Sequence, residues 1–372
     1  MPHLWGRDYP RSELLRRVGR LEQAAGVRLV TLGDGLGRGV RLIEFRTGTG
    51  FSFDVVVDRT FDVGRCELGG RPLAWLAAPG VVGPWYYEPE SWGWFRAWGG
   101  GMVVTCGLDH TLGPGEDDAS DFHQPHIFQT VPYGLHGRVG GLPARLVGYG
   151  ERWEGDECTL WAEGEVLQAA IFGEHLLLRR RIEAKVGTSE FTIHDEVENV
   201  GHSRTSHMFL YHCNAGFPVV DEGSRLLVPA TRTTTDYGVP IEGYQTLSGP
   251  NRDFTEACFE HELVAEPAGT VPVAVVNRSL GLGVYQVFRL AQLPHHTVWR
   301  MMGEDTYAMA LEPSTNRDAG RWDARKRGEL LFLEPGETRA YDLEIGALDG
   351  AAALSAFEDR VERAKAGAGS PA

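Results

Sequence analysis

The sequence predicts an all-β protein built as a large antiparallel sandwich, and three observations carry that reading. Short runs alternating between apolar and polar residues recur from about Val40 to Ile345. Forty-eight glycines and 20 prolines punctuate these runs at the spacing of an antiparallel sandwich. Amphipathic helices of about 10–15 residues do not alternate with the strands, which argues against a doubly wound α/β fold.

Taken in chain order, Ser12 is placed to cap a short helix over Glu13–Val18, and residues 1–35 form an N-terminal extension. Gly33 to Gly39 is glycine-rich but leads into a strand, so no helix N-terminus waits there for a phosphate. Val40–Phe45 and Phe51–Val57 alternate around Thr47-Gly48-Thr49-Gly50, a hairpin. Gly99-Gly100-Gly101 is a tight turn before a strand over Gly101–Cys106. Strands follow over Ala144–Tyr149, Thr159–Ala162, Leu176–Ile182, Glu190–Glu198 and Met208–His212. The second half continues with Arg225–Val228, Val271–Asn277, Gly283–Phe288, Val298–Met301, Tyr307–Leu311, Gly328–Phe332 and Thr338–Ile345. Ala351–Ala366 reads as a helix before a loose Gly/Ser/Pro tail. No linker or fixed-period repeat interrupts 36–348, which is one domain, and 349–372 is the helix and tail.

Charge and cysteine content narrow the function. The chain has 36 basic and 51 acidic residues, a net charge of -15, and no basic footprint for a nucleic acid. Arg179-Arg180-Arg181 and Arg325-Lys326-Arg327 read as solvated faces. No apolar stretch approaches the length of a membrane helix, and the N-terminus lacks the apolar core of a secretory signal. Five scattered cysteines without a CxxC pair argue for a reducing compartment and against a thiolate metal site. A cytoplasmic protein with a neutral small-molecule ligand is the expectation. His123-Gln-Pro-His126 is a candidate metal pair, but Pro125 marks an extended loop and no acidic third ligand stands nearby. These two read as loop histidines, with no metal site assigned.

Aromatic and strand-end motifs point to a sugar. Trp85-Tyr86-Tyr87 and the Trp92–Trp98 cluster offer faces suited to the C–H side of a sugar ring, although packing in the sandwich accounts for most of them. Gly134-Leu135-His136-Gly137-Arg138 presents a histidine between glycines. Met208 to Gly216 is an apolar strand ending on His212-Cys213-Asn214. Ala308 to Ala319 carries Glu312 at a strand end, with small same-face neighbours Ala308 and Ala310, and Pro313 stopping the strand. A strand-end imidazole and a strand-end carboxylate make a candidate acid–base pair at a cleft.

On these motifs the chain resembles the aldose 1-epimerases (galactose mutarotase-like proteins), over about Val40 to Ile345. Tyr211-His212-Cys213-Asn214 is similar to the family's Asn-His-x-Tyr-Phe-Asn segment, and Leu311 to Ala319 to its Leu-Glu-Pro-Gln-x-x-Pro-Asp-Ala segment. Asp58-Arg59-Thr60-Phe61-Asp62, the Gly99 to Asp109 segment and Glu256 to His261 resemble a less characterised branch. The resemblance implies a twisted antiparallel β-supersandwich and an isomerase interconverting sugar anomers without a cofactor. It implies Glu312 as general base, His212 as general acid, protonated with the help of nearby carboxylates, and His136 as a substrate contact. The family's Arg and hydroxyl-binding Asp have no clear counterpart. Arg59 and Asp62 are the candidates to replace those contacts, with Asn214, Asp253 and Glu256 further candidates. Two other readings stay open: a non-catalytic carbohydrate-binding or sensor protein, and an isomerase or lyase acting on a modified sugar.

Overall fold

The computed structural model describes residues 1–118, 120 and 129–367, so His123, His126 and the tail beyond Gly367 lie outside the described residues. Among the described residues, strands in antiparallel sheets far outnumber helices. The longest helix, Gly350–Gly367, is the one expected at the C-terminus.

An eight-stranded sheet runs in the order Arg145–Glu154, Glu157–Ala169, His175–Lys185, Glu190–Asn199, Thr338–Asp349, Leu282–Arg289, Thr270–Asn277, Arg225–Leu227. The sheet that carries the site runs Ala230–Thr234, Ala257–Leu263, His295–Met302, Tyr307–Ser314, Thr205–Gly216, Leu331–Leu333, with Val104–Leu108 also paired to Thr205–Gly216. A five-stranded sheet from Gly26–Thr31 to Arg71–Pro72 contains the predicted hairpin, Arg41–Arg46 with Phe51–Val56.

The core lies between these layers. Every residue of Thr205–Gly216 is buried, as expected of a strand covered on both faces. Its odd positions face the eight-stranded sheet: Phe209 stacks on Tyr341 at 4.6 Å, and the Tyr211 hydroxyl donates to Asp195 Oδ2 at 2.6 Å. Its even positions, including His212, therefore face the other way. The C-terminal helix covers the outer face of the eight-stranded sheet, where Leu354, Phe357 and Val361 pack against Tyr285 and Val287. Each such buried side chain contributes roughly 1.5–3 kcal/mol.

Several local expectations are corrected. The first helix spans Arg11–Leu15, and Ser12 lies inside it without making a cap. A helix at Gly320–Arg327 breaks the rule that helices sit only at the ends. It ends on Gly328 at φ 72°, so the strand expected from Gly328 starts at Leu331. Pro313 does not stop its strand, which continues to Ser314 with Pro313 opposite His296. His212 is not at a strand end either, because the strand runs on to Gly216.

Arg180 is the largest correction. The sequence groups it with a solvated arginine run, yet it is 0% exposed. Strand alternation explains the error. Arg179 and Arg181 turn outward to Glu198 and Glu163, while Arg180 turns inward. There it donates to Asp195 at 2.8 and 2.6 Å and to Asp62 at 2.8 Å.

Candidate active site

Strand register brings the two principal residues together. Thr205–Gly216 pairs with Tyr307–Ser314 so that Leu210 lies opposite Ser314 and Cys213 opposite Leu311. That register sets His212 across from Glu312, on the face turned away from the eight-stranded sheet. His212 Nε2 lies 3.2 Å from Glu312 Oε1, and both side chains are almost fully buried.

The histidine is held in one tautomer. Its Nδ1 lies 2.6 Å from Asn214 Oδ1. The Asn214 amide donates through Nδ2 to the carbonyls of Gly101 and His212, both at 2.9 Å, which leaves Oδ1 as the acceptor. Nδ1 therefore carries a proton and Nε2 faces the carboxyl. Gly101 makes this possible. At φ 121° it adopts backbone that side chains disfavour, and a Cβ there would lie 2.8 Å from the Val63 carbonyl.

His136 approaches from the Gly134–Gly137 loop at φ 58°. Its ring centre is 5.7 Å from that of His212, with the planes perpendicular. Its Nδ1 accepts from the Leu112 N–H at 3.3 Å, leaving Nε2–H to donate.

Around the three lies a cleft of about 210 Å³. Trp94, Trp98 and Trp299 form one wall, with Trp94 stacked on Trp98 at 4.4 Å. Trp92 and Phe95, stacked on each other at 5.8 Å, stand half-exposed at the mouth. Glu256 and Asp318 also line the cleft.

Burial controls the electrostatics. It pushes the Glu312 carboxyl well above the usual carboxylate range, with help from Asp318 and Glu256. It lowers His212 to about 4, against the opposing bond to Asn214, and His136 well below its ordinary value. These shifts run against the expectation of an imidazolium sustained by nearby carboxylates: dehydration favours the uncharged form of both partners. Asp318 is raised to about 6, chiefly by burial and then by Glu260.

The structure brings His136, His212, Glu312 and Glu256 to one cleft and leaves the other candidates out of its lining. Asp62 is fully buried and occupied: it accepts from the Thr105 N–H at 3.1 Å, the Thr105 hydroxyl at 2.6 Å and Arg180. Arg59 is buried beside it, 3.8 Å away. Asn214 is fully buried outside the lining, with its Oδ1 against His212 Nδ1. Asp253 is exposed, and its N–H bonds to Asn251 outside the cleft lining. Asp318, Trp299 and Tyr237 were missed, although Asp318 sits in the segment that carries the resemblance. Among the described residues, no group of three or more His, Cys, Asp or Glu is arranged to hold a metal ion. No described helix is long and apolar enough to cross a membrane.

Comparison with known proteins agrees with this architecture. The "putative aldose 1-epimerase" of Klebsiella pneumoniae superposes with a TM-score of 0.80 at 24% identity, over 91% of this chain and 87% of that one. A galactose mutarotase-like protein from Clostridium acetobutylicum gives 0.58 at 10% identity, over 88% and 99% of the two chains. A "putative mutarotase" from Salmonella typhimurium gives 0.55 at 15% identity, over 87% and 94%. No curated protein matches the sequence. The fold is therefore the galactose mutarotase-like β-sandwich, and since the pattern of the domain of unknown function DUF4432 spans residues 37–347, the chain belongs to that family.

Proposed function

We propose that the protein is an aldose 1-epimerase-like isomerase that interconverts sugar anomers with His212 and Glu312 as its acid–base pair. The observation that carries the reading is the 3.2 Å approach of His212 Nε2 to Glu312 Oε1 in an aromatic-walled cleft. Opening a cyclic hemiacetal needs one group to take the anomeric hydroxyl proton while another delivers a proton to the ring oxygen. The C1–O5 bond breaks, an aldehyde forms, rotation about C1–C2 exposes its other face, and the reverse transfers close the ring. No electrons leave the sugar and no cofactor is consumed.

A pair sharing one proton suits this sequence of transfers. Burial favours a protonated Glu312 and a neutral His212, whose Nε2 then has a free lone pair. Whichever member gives its proton, the other accepts one, so the pair ends each opening with the same net charge. The resemblance assigns the base role to Glu312 and the acid role to His212. That assignment requires the proton to cross to Nε2 when the sugar's hydroxyls replace the dry surroundings. His136 Nε2–H is available to orient a ring oxygen or hydroxyl. Positioned acid–base assistance of this kind contributes about 10²–10⁴-fold.

The test begins with free aldoses screened by thermal shift. Exchange between anomers of any sugar that binds is then followed by magnetisation transfer in NMR. Acceleration that disappears in Glu312→Gln supports the isomerase. A sugar that binds while its anomers exchange at the uncatalysed rate leaves only a binding protein.

A further inference from the structure

Three acidic side chains line the cleft, Glu256, Asp318 and Glu312, and burial holds the last in its protonated form. Glu256, at the exposed rim, accepts the Trp299 indole N–H through Oε2 at 2.9 Å. Asp318 lies further in, beside Cys258. Glu312 is 3% exposed and lines the cleft, and its Oε1, 3.2 Å from His212 Nε2, makes no well-aligned hydrogen bond. No Lys or Arg is among the described residues lining the cleft. Arg317, next to Asp318 in the chain, turns instead to Glu260 at 3.0 Å and Glu329 at 3.4 Å. Arg96, on the short helix that carries Trp94, turns to Glu88. The histidines do not compensate either, because burial holds both His136 and His212 in their neutral forms.

We infer that this cleft selects sugars bearing a protonated amine over their neutral parents, with Glu256 and Asp318 as the ammonium's partners, and rejects phosphorylated or carboxylated sugars. The inference rests on the sugar-site reading above and gives that site a substrate class. An ammonium group has three donors and no acceptor, so it needs surroundings made only of acceptors. Carboxylates supply them, and the indoles of Trp98 and Trp299 line the same cleft, where an aromatic face attracts a cation. A neutral hydroxyl bonds to a carboxylate but leaves its charge uncompensated. A phosphate or uronate adds a further negative charge to a site with nothing to offset it.

Calorimetric titration of the full chain near neutral pH tests this. The ligands are D-glucose and D-galactose, their 2-amino-2-deoxy and N-acetylated counterparts, and D-glucose 6-phosphate. In at least one series the free amine is expected to bind about tenfold tighter than both the parent sugar and the N-acetyl derivative, with no binding of the phosphate ester. Glu256→Gln and Asp318→Asn, each checked for folding by circular dichroism, are expected to bring that ratio close to parity. Parent sugar or phosphate ester binding as tightly as the amine overturns the inference. So does failure of every amine to bind, or a ratio unchanged in both variants. Anomer exchange measured on the same sugars separates the two readings. Amine preference without exchange removes the isomerase and keeps the inference, whereas exchange without preference does the reverse.

Discussion

His212 Nε2 stands 3.2 Å from Glu312 Oε1, although a hundred residues separate them in sequence, because neighbouring antiparallel strands place them directly opposite each other. Glu312→Gln keeps the shape and removes the proton-exchanging group. Anomer exchange of a bound sugar should fall by about 10²–10⁴-fold, with the binding constant changed far less. Parallel titration and exchange measurements check this, and equal loss of binding and rate would point to a purely structural carboxyl.

Asn214 fixes which nitrogen of His212 faces Glu312. Asn214→Leu removes the acceptor for Nδ1–H, frees the other tautomer, and should slow exchange at least about tenfold with little change in KM. Asn214→Asp restores an acceptor with a charge, which favours the imidazolium. The acidic limb of its rate profile should therefore move upward in pH. A profile identical to wild type would remove Asn214 from the mechanism.

The pH dependence follows from burial. His212 titrates near 4, not near the ordinary histidine value, so exchange should stay flat through pH 6.5 and fall only as pH drops toward 4. Below that point both members of the pair are protonated and neither can act as base. Asp318 gives a separate signature in stability. Its folded pKa of about 6 exceeds its reference of 3.8, so its stabilising contribution is full below about pH 4 and is lost as pH rises through 6. Asp318→Asn should therefore be the more stable protein at pH 7, by about 1 kcal/mol after allowance for solvent at this half-buried position. That advantage should shrink as pH falls, as seen by thermal unfolding across pH.

Much of this was legible in the sequence because strand patterning is local. The hairpin at Arg41–Val56, the long C-terminal helix and the motifs around His136, His212 and Glu312 depend on near neighbours in the chain. What stayed hidden depends on layers meeting. Nothing near Asp62 in sequence announces that Arg180 and Thr105 occupy its oxygens, so it passed for a sugar contact. Asp318 lies within the segment that carries the resemblance, but its place in the cleft depends on how the chain turns after Ser314. The protonation of the pair was misread for the same reason, since dehydration is a property of the packed site and not of the motif.

Arg180 ties together the scaffold behind the site. It is fully buried between Asp62 and Asp195, and Asp195 also accepts the Tyr211 hydroxyl at 2.6 Å. Tyr211 precedes His212, and Asp62 holds Thr105, which lies opposite Tyr211 on the adjoining strand. Arg180→Met fills similar space but leaves Asp195 without its cation and Asp62 with only Arg59, 3.8 Å away, a loss of about 3–5 kcal/mol. Removing the charges as well, in Arg180→Met/Asp62→Asn/Asp195→Asn, should recover a large part of that stability, because the penalty belongs to the unpaired charges and not to the missing contact. Urea unfolding of the single and triple variants measures the difference. If the single variant unfolds at the wild-type midpoint, or the triple is no more stable than the single, charge pairing is not what holds this layer behind His212.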